Sequence, residues 1–426
     1  MKFRKHRVVL LTGNHLASNP RVVKEADAFT ELGYTVTVVG GAFSHELNGQ
    51  DQKILKGREW SYRKAYDLTC GGLGPLLLKM QRKLGELAWR NLGLANQWQL
   101  FYGTGRLLKE AFDIDANLTI AHWEPALPAA VELMKRGTKV GVDMEDWFSE
   151  DLLPEARRTR PIRLLKQLEK NLLCHGVHST CTSEAMADAL VKAYGCRRPT
   201  VIRNVFPLKD REQLDGKWKD RPGMAKWMPR NGPEAARPKE APVSIHWFSQ
   251  TIGPGRGLET LFQALDRLEG NWELHLRGNL KGYEKWLEEM CPAGVRGRLK
   301  VHGLVENGEL LSRIAEHDIG FAGEPKEPPN KNLTISNKLF QYLMGGLAVI
   351  ASNTKGQTEA TREATSSAQL YQAGSIESLR SKLMPLLVDH SQIVWMKKNA
   401  WGAGARLSWE NEAMKYRNLN SQMEHD

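Results

Sequence analysis

No run of ~18 or more apolar residues interrupts this 426-residue chain, so no segment has the composition of a membrane-spanning helix. Cysteine is sparse: Cys70, Cys174, Cys181, Cys196 and Cys291 are scattered and odd in number, without a C-x-x-C pair or a metal-ligand spacing. That pattern excludes a zinc module and a disulfide framework and fits a reducing compartment, and no metal or other cofactor is expected. The G-x-G-x-x-G fingerprint is missing too, since the first strand runs into Gly13-Asn14-His15-Leu16, which disfavours a dinucleotide oxidoreductase. Zinc-finger, helix-turn-helix and basic-aromatic patterns are absent, so nucleic acid is not an expected partner. The start, Met1 to Arg7, is charged, but the apolar run after it is only Val8-Val9-Leu10-Leu11, a first strand and too short for a signal peptide. The expectation is a cytoplasmic protein, at most peripheral on the inner face of the membrane.

What is abundant is positive charge. Lys and Arg exceed Asp and Glu by 60 − 49 = +11, which suits an anionic partner such as a nucleotide diphosphate or an acidic lipid surface. The length calls for two domains. Asn19 reads as an N-cap with Pro20 at the first helical position. Val22, Val23, Ala26, Phe29 and Leu32 then recur at helical spacing, Gly33 stops the helix, and Tyr34 to Val39 form the next strand. Strand, helix and strand of this length make a right-handed βαβ unit.

The same rhythm returns at Leu118, Lys139, Val177 and Thr200, and a second series starts at Val243, with strands at Trp272, Leu299, Ile319 and Leu347. The fold class is therefore α/β, with two doubly wound parallel-sheet domains. Residues 1–206 form the first and 242–404 the second. The Lys-, Arg-, Pro- and Gly-rich stretch 207–241 reads as a linker with a surface insertion, and a terminal helix at about 405–426 is expected to pack back on the first domain. Ligands of such sheets bind beyond the carboxyl ends of the strands, here in a cleft between two facing domains.

Two segments carry phosphate chemistry. Gly253-Pro254-Gly255-Arg256-Gly257 follows a strand and opens a helix near Leu258, so backbone amides and the Arg256 fork can face a phosphate; a tight turn with a solvated arginine is the bland alternative. In Ser336-Asn337-Lys338-Leu339-Phe340-Gln341, Asn337 and Lys338 stand at a loop-to-helix junction, where the helix dipole and the ammonium reinforce one another. Leu339, Phe340, Leu343 and Met344 form that helix's core stripe and leave Gln341 on another face, able to hydrogen-bond a ribose. Asp113-Ile114-Asp115 has the form of a metal-diphosphate motif but precedes a strand, at the wrong end of the sheet, and reads as a solvated turn. From Leu73 to about Leu108, Leu, Met and Trp alternate with Lys and Arg, which fits either a basic amphipathic helix on an anionic membrane or a domain helix with an ordinary core stripe.

The order and spacing of these segments resemble the family 4 glycosyltransferases, retaining enzymes of the GT-B fold. The resemblance rests on Asn19 to Glu25, His122, Asp143-Met144-Glu145-Asp146, Arg203-Asn204, Gly253 to Gly257, His302-Gly303, Glu316 to Gly320, the Asn337-Lys338 helix and Ser408-Trp409-Glu410. It implies transfer of a sugar from a nucleotide-diphosphate sugar to a saccharide or lipid-linked saccharide, with retention, in cell-surface polysaccharide or glycoconjugate synthesis. It further implies catalytic roles for His122, Arg256 and Lys338. Gly253, Gly255, Arg256, Gly278, Glu324, Ser336, Asn337, Lys338 and Gln341 fall on the donor side, and Gly13, Asn14 and Asp146 on the acceptor side. The chain departs from the family where a second basic residue is usual, at Thr251, and at both acids of the Glu-x7-Glu signature, which fall on Leu333 and Gln341. Lys338 can compensate the first, and Glu324, Glu327 or loop amides around Thr334 to Ser336 the second. The departures also motivate rival readings: a catalytically silent nucleotide-sugar-binding scaffold, or a GT-B nucleotide-sugar epimerase, which would release nucleotide without an acceptor.

Overall fold

The computed structural model describes residues 6–222 and 241–425, with side chains as far as 417. The chain divides into two compact units, Met1–Ile202 with Ala413–Asp426, and Arg203–Glu412. In the first unit seven strands, β1 (Arg7–Leu11), β2 (Thr35–Ala42), β3 (Ser61–Asp67), β4 (Leu118–His122), β5 (Val140–Met144), β6 (His178–Cys181) and β7 (Thr200–Val201), pair in parallel. Their order is β3-β2-β1-β4-β5-β6-β7. The second unit repeats the scheme with β8 (Val243–Thr251), β9 (Trp272–Asn279), β10 (Leu299–His302), β11 (Ile319–Ala322), β12 (Ala348–Ser352) and β13 (Ala368–Tyr371), in the order β10-β9-β8-β11-β12-β13. Each sheet therefore reverses direction once, between β1 and β4 and between β8 and β11. In open α/β sheets these reversals are where ligands bind.

The central strands are β-branched and apolar because helices cover both of their faces; β1, β4, β11 and β12 are buried along almost their whole length. The first helix, Pro20–Glu31, starts as its sequence dictates: Asn19 accepts from the Val22 amide, and Pro20 occupies the first turn without sacrificing a hydrogen bond. In the second unit Trp247, Phe262, Leu274, Leu276 and Ile350 centre a large apolar core.

The boundary falls at Ile202, four residues before the expected one, because Arg203 already binds Glu363 and the Glu412 carboxylate (Arg203 N–H to Oε2, 2.9 Å). Of the expected linker, 223–240 lies outside the described residues, and the preceding part is no surface insertion. Leu214 packs on Leu311, Ala315 and Met344. Asp215 holds Arg313 at 2.8 Å, and Arg221 is buried against Glu316 and Asp318. The terminal helix runs Trp409–His425, starting later than expected. In it Tyr416 packs edge-on against Phe29 at 5.3 Å, and Lys415 donates to the Val201 carbonyl at 2.9 Å.

Candidate functional site

At the reversal of the second sheet, the loop after β8 and the loop after β11 press together. Gly257 has φ +80°, and a Cβ there would stand 2.5 Å from the Gly323 carbonyl oxygen. Only glycine fits. Gly257→Ala is expected to destabilise the unit by more than the ~1–2 kcal/mol of a left-handed alanine. Gly255→Ala should cost no more than that, because Gly255 (φ +71°) faces open space. Matched denaturant unfolding of the two variants checks the contrast.

The helix Leu258–Asp266 begins where the glycine run ends. Arg256 is exposed and donates to the Ser249 hydroxyl at 3.0 Å. The Gly255 amide donates to the Glu259 carboxylate at 2.8 Å, so an anionic group already occupies one amide of the loop. Sequence reasoning missed Glu259, whose only signal is an acid in the helix's first turn. Gly253 and Gly278 are close-packing positions: a Cβ would meet the Tyr283 ring at 3.0 Å in one and the Ser249 carbonyl at 2.6 Å in the other.

Across from that loop, Glu324 at the end of β11 gathers two of the expected residues. Its Oε1 accepts from Lys338 Nζ at 2.7 Å and from the Ser336 hydroxyl at 2.9 Å. Burial alone would raise the Glu324 pKa, but the Lys338 ammonium outweighs it and holds the carboxylate below its ordinary range. Ser336 is the N-cap residue of the helix Asn337–Gly345, yet its hydroxyl makes no cap bond. One turn on, Gln341 Oε1 is shielded from solvent without a hydrogen-bond partner among the described residues. Leu339, Phe340, Leu343 and Met344 are buried as the helical spacing requires, and so is Leu333. Asn337 accepts from Asn204 at 3.3 Å.

In the first unit the carboxyl ends of β1, β4 and β5 hold a buried ionic network. His122 is wholly enclosed: Nε2 pairs with Glu25, while Nδ1 lies 3.0 Å from Glu145 and 3.5 Å from Asp143. Arg21 forks onto Asp143 (Nε 2.5 Å, Nη2 3.0 Å) and donates to the Ile202 carbonyl at 2.8 Å. Burial would strip the His122 proton, but Glu25, Glu145 and Asp143 together raise its pKa to about 10. This corrects the expectation of a catalytic role for His122: with no exposed surface and both ring nitrogens facing carboxylates, it holds the strand ends together. Glu25, His122 and Asp143 have the proximity of a metal site. As donors they fit a cation poorly, because both Asp143 oxygens are held by Arg21 and the imidazole keeps its proton.

Gly13 (φ +64°) and Asn14 also prove enclosed. The Gly13 carbonyl accepts from Tyr66 at 2.5 Å, and Asn14 Oδ1 accepts from the His15 amide at 2.8 Å. Asp146 is half-buried beyond β5. Trp123, directly after His122, holds φ +66°, a conformation that costs a bulky residue ~1–3 kcal/mol and clusters at functional sites. Nothing in the sequence marks it. Asp113 and Asp115 are exposed at a helix end, with Asp115 paired to Arg7, in keeping with a solvated turn.

No protein-family model matches the sequence, and no curated protein matches it. Solved structures do match along the whole chain. Anabaena HepE in complex with UDP and glucose superposes with a TM-score of 0.67 at 15% identity, covering 98% of this chain and 99% of that one. A glycosyltransferase from Rickettsia africae gives 0.65 at 11% identity, with 99% of each chain covered. Sucrose-phosphate synthase from Thermosynechococcus elongatus gives 0.65 at 13%, covering 98% and 99%. At such identities the likeness speaks for architecture, and together with the seven- and six-stranded parallel sheets, which share the 3-2-1-4-5-6 order over their first six strands, it shows that this chain has the GT-B fold.

Proposed function

We propose that the chain is a glycosyltransferase whose second unit binds a nucleotide-diphosphate sugar at the β8/β11 reversal. The observation that carries this reading is the convergence there of a glycine loop bearing Arg256, the Glu324–Lys338–Ser336 cluster, and the start of the helix Asn337–Gly345. Arg256 and Lys338 stabilise the negative charge of the departing diphosphate, aided by the loop amides and the helix dipole. Glu324 keeps Lys338 in place and, with Gln341, offers hydrogen bonds to sugar or ribose hydroxyls. The acceptor hydroxyl of a saccharide or lipid-linked saccharide attacks the anomeric carbon on the face from which the diphosphate leaves, its proton passing to the departing phosphate oxygen as the C–O bond to the diphosphate breaks, so configuration is retained. Orientation and leaving-group stabilisation supply the rate, and neither a metal nor a covalent nucleophile is required. Synthesis of a cell-surface polysaccharide or glycoconjugate is the matching role.

A thermal-shift panel of UDP, GDP, ADP and their sugars tests the reading. One nucleotide should stabilise the protein by about 2.7 kcal/mol at one hundred times its Kd. Arg256→Ala should abolish that shift and leave the ligand-free midpoint unchanged, since the side chain is exposed and its one described bond is to Ser249. Lys338→Met should cut sugar transfer by about 10²–10³-fold. No shift with any nucleotide would overturn the proposal. A specific observation favours one rival: Leu333, where an acid is expected, is buried in the core and offers nothing to a sugar. A silent nucleotide-sugar binder would shift with a donor yet release no nucleotide with any acceptor.

A further inference from the structure

The helix Leu73–Leu92 inverts the usual amphipathic arrangement. Its core-facing side is small: Leu78 and Gly85 are its only buried residues, and Gly85 lies against Asn96 and Trp98. Its main apolar stripe, Leu73, Leu77, Met80, Leu84 and Leu87, recurs at spacings of four and three, and at 3.6 residues per turn lies about 130° round the helix from the buried side. The stripe faces solvent. Leu73 is 77% exposed, Leu84 54% and Met80 49%, and Leu76, Leu92 and Leu94 extend the patch. The stripe is therefore not a core stripe, which would be covered. A row of exposed large apolar side chains along one helix face marks an interaction surface.

Basic groups border the stripe on one side. Lys79, Lys83 and Arg90 lie roughly 100° from its centre on the flank away from the buried face. A cavity of about 600 Å³ opens beside Leu87; its charged lining is Arg82, Lys83, Arg90, Arg158 and Arg160 with one acid, Glu86, so the basic groups outnumber the acid five to one. Arg160 is paired with Glu124, and Arg82 bonds Glu86 at 2.9 Å and stacks over Tyr102 at 4.8 Å. Lys83, Arg90 and Arg158 have no ion-pair partner among the described residues and are exposed. Of the helix's charges, Glu86 alone is acidic against Lys79, Arg82, Lys83 and Arg90. A second copy of the helix would bring like charges together along the seam, whereas an anionic lipid surface complements both features.

We propose that this helix docks the chain on an anionic phospholipid surface, with the leucine stripe in the acyl boundary and the Arg158-bordered cavity receiving a lipid phosphate. The surface stands independently of the donor reading, and nucleotide-induced thermal shifts should be unaltered in the variants that test it. Co-sedimentation with vesicles of phosphatidylcholine alone, and of equal parts phosphatidylcholine and phosphatidylglycerol, provides the measurement. The full chain should bind the anionic vesicles, bind neutral ones far less, and be released by salt. Leu77→Asp with Leu84→Asp should abolish binding with no loss of thermal stability, because both side chains are exposed. Replacing Lys83, Arg90 and Arg158 by glutamine should lower partitioning by about fivefold per residue, and inorganic phosphate in solution should not reproduce the vesicle effect. Equal binding to both vesicle types, no binding, or a concentration-dependent dimer that the leucine variants dissociate would each overturn the proposal.

Discussion

Arg21→Met is expected to destabilise the first unit by about 3–5 kcal/mol, more than any surface substitution in the chain, as a fall in the midpoint of urea or thermal unfolding. The methionine matches much of the arginine's volume, so the loss comes from charge. Arg21 is nearly inaccessible, forks onto Asp143, and donates its remaining Nη1 to the Ile202 carbonyl just beyond β7. Burial would raise the Asp143 pKa, and it is Arg21 first and His122 second that hold it below its ordinary value. Without Arg21, the counter-charge left to Asp143 among the described residues is an imidazolium 3.5 Å away that Glu25 and Glu145 also claim, with the neutral Thr180 hydroxyl beside it. An uncompensated carboxylate in a dry interior is the costly outcome. Arg21→Met combined with Asp143→Leu removes both charges and should recover part of the loss. A single variant as stable as the parent would show that the network is not holding the strand ends.

The same network sets a pH limit. The His122 pKa is raised above its unfolded value, so its contribution is complete below about 6.5 and is lost as pH climbs through about 10. The first unit should weaken in alkali.

Much of this architecture was legible in the sequence, and what was not shares a physical cause. Buried central strands announce themselves by apolar runs, and Asn19-Pro20 marks a helix start with local chemistry alone. The strands that went unread, Ser61–Asp67 and Ala368–Tyr371, are sheet edges, each paired on one side, and carry too little apolar material to register. Charge misled in the opposite direction. Residues 208–222 look solvated because they are rich in Asp, Lys and Arg, yet Asp215, Asp220 and Arg221 are there to neutralise Arg313, Arg277 and Asp318. At His122 the residue type and the strand end were readable, but the closure of three carboxylates around the ring was not, because Glu25, Asp143 and Glu145 come from two other elements. At the β8/β11 reversal Arg256, Ser336 and Lys338 were nameable from loop-to-helix junctions and Gln341 from the helix face away from the core stripe; that Lys338 rests on Glu324 was not. Helical spacing similarly revealed the leucine stripe of Leu73–Leu92 but not which way it faces.

Acidification from pH 7.5 to pH 5 should destabilise the second unit, through a cluster no sequence pattern betrays. His246 and His275 are paired neighbours on β8 and β9. His317 stacks on His246 at 4.4 Å, and His302 stacks on His275 at 5.2 Å with Nδ1 of His275 3.0 Å from Nε2 of His302. Asp220 faces His302 and His317 but is claimed by Arg277 at 2.6 Å, and Arg221 lies nearby. Burial, then the neighbouring imidazoles and arginines, lowers His275 to about 3 and His246 and His317 well below their ordinary value. A histidine lowered on folding takes up its proton first in the unfolded chain, so stability is present above pH 6.5 and lost below it. For His275 alone the loss is roughly 2 kcal/mol at pH 5. Glu316 opposes it: burial outweighs Arg313 and raises its pKa to about 7, so the folded state gains roughly 2 kcal/mol over the same range. These two nearly cancel, and His246 and His317, both fully buried, decide the sign toward acid unfolding. Thermal unfolding across pH 5 to 7.5, with amide exchange on β8 and β9 to locate the loss, measures the effect. His246→Phe should flatten the profile, since neither ring nitrogen of His246 has a hydrogen-bond partner to forfeit among the described residues. If the parent's midpoint were constant over this range, the imidazoles would have to be solvated or already charged, contrary to the packing that encloses them.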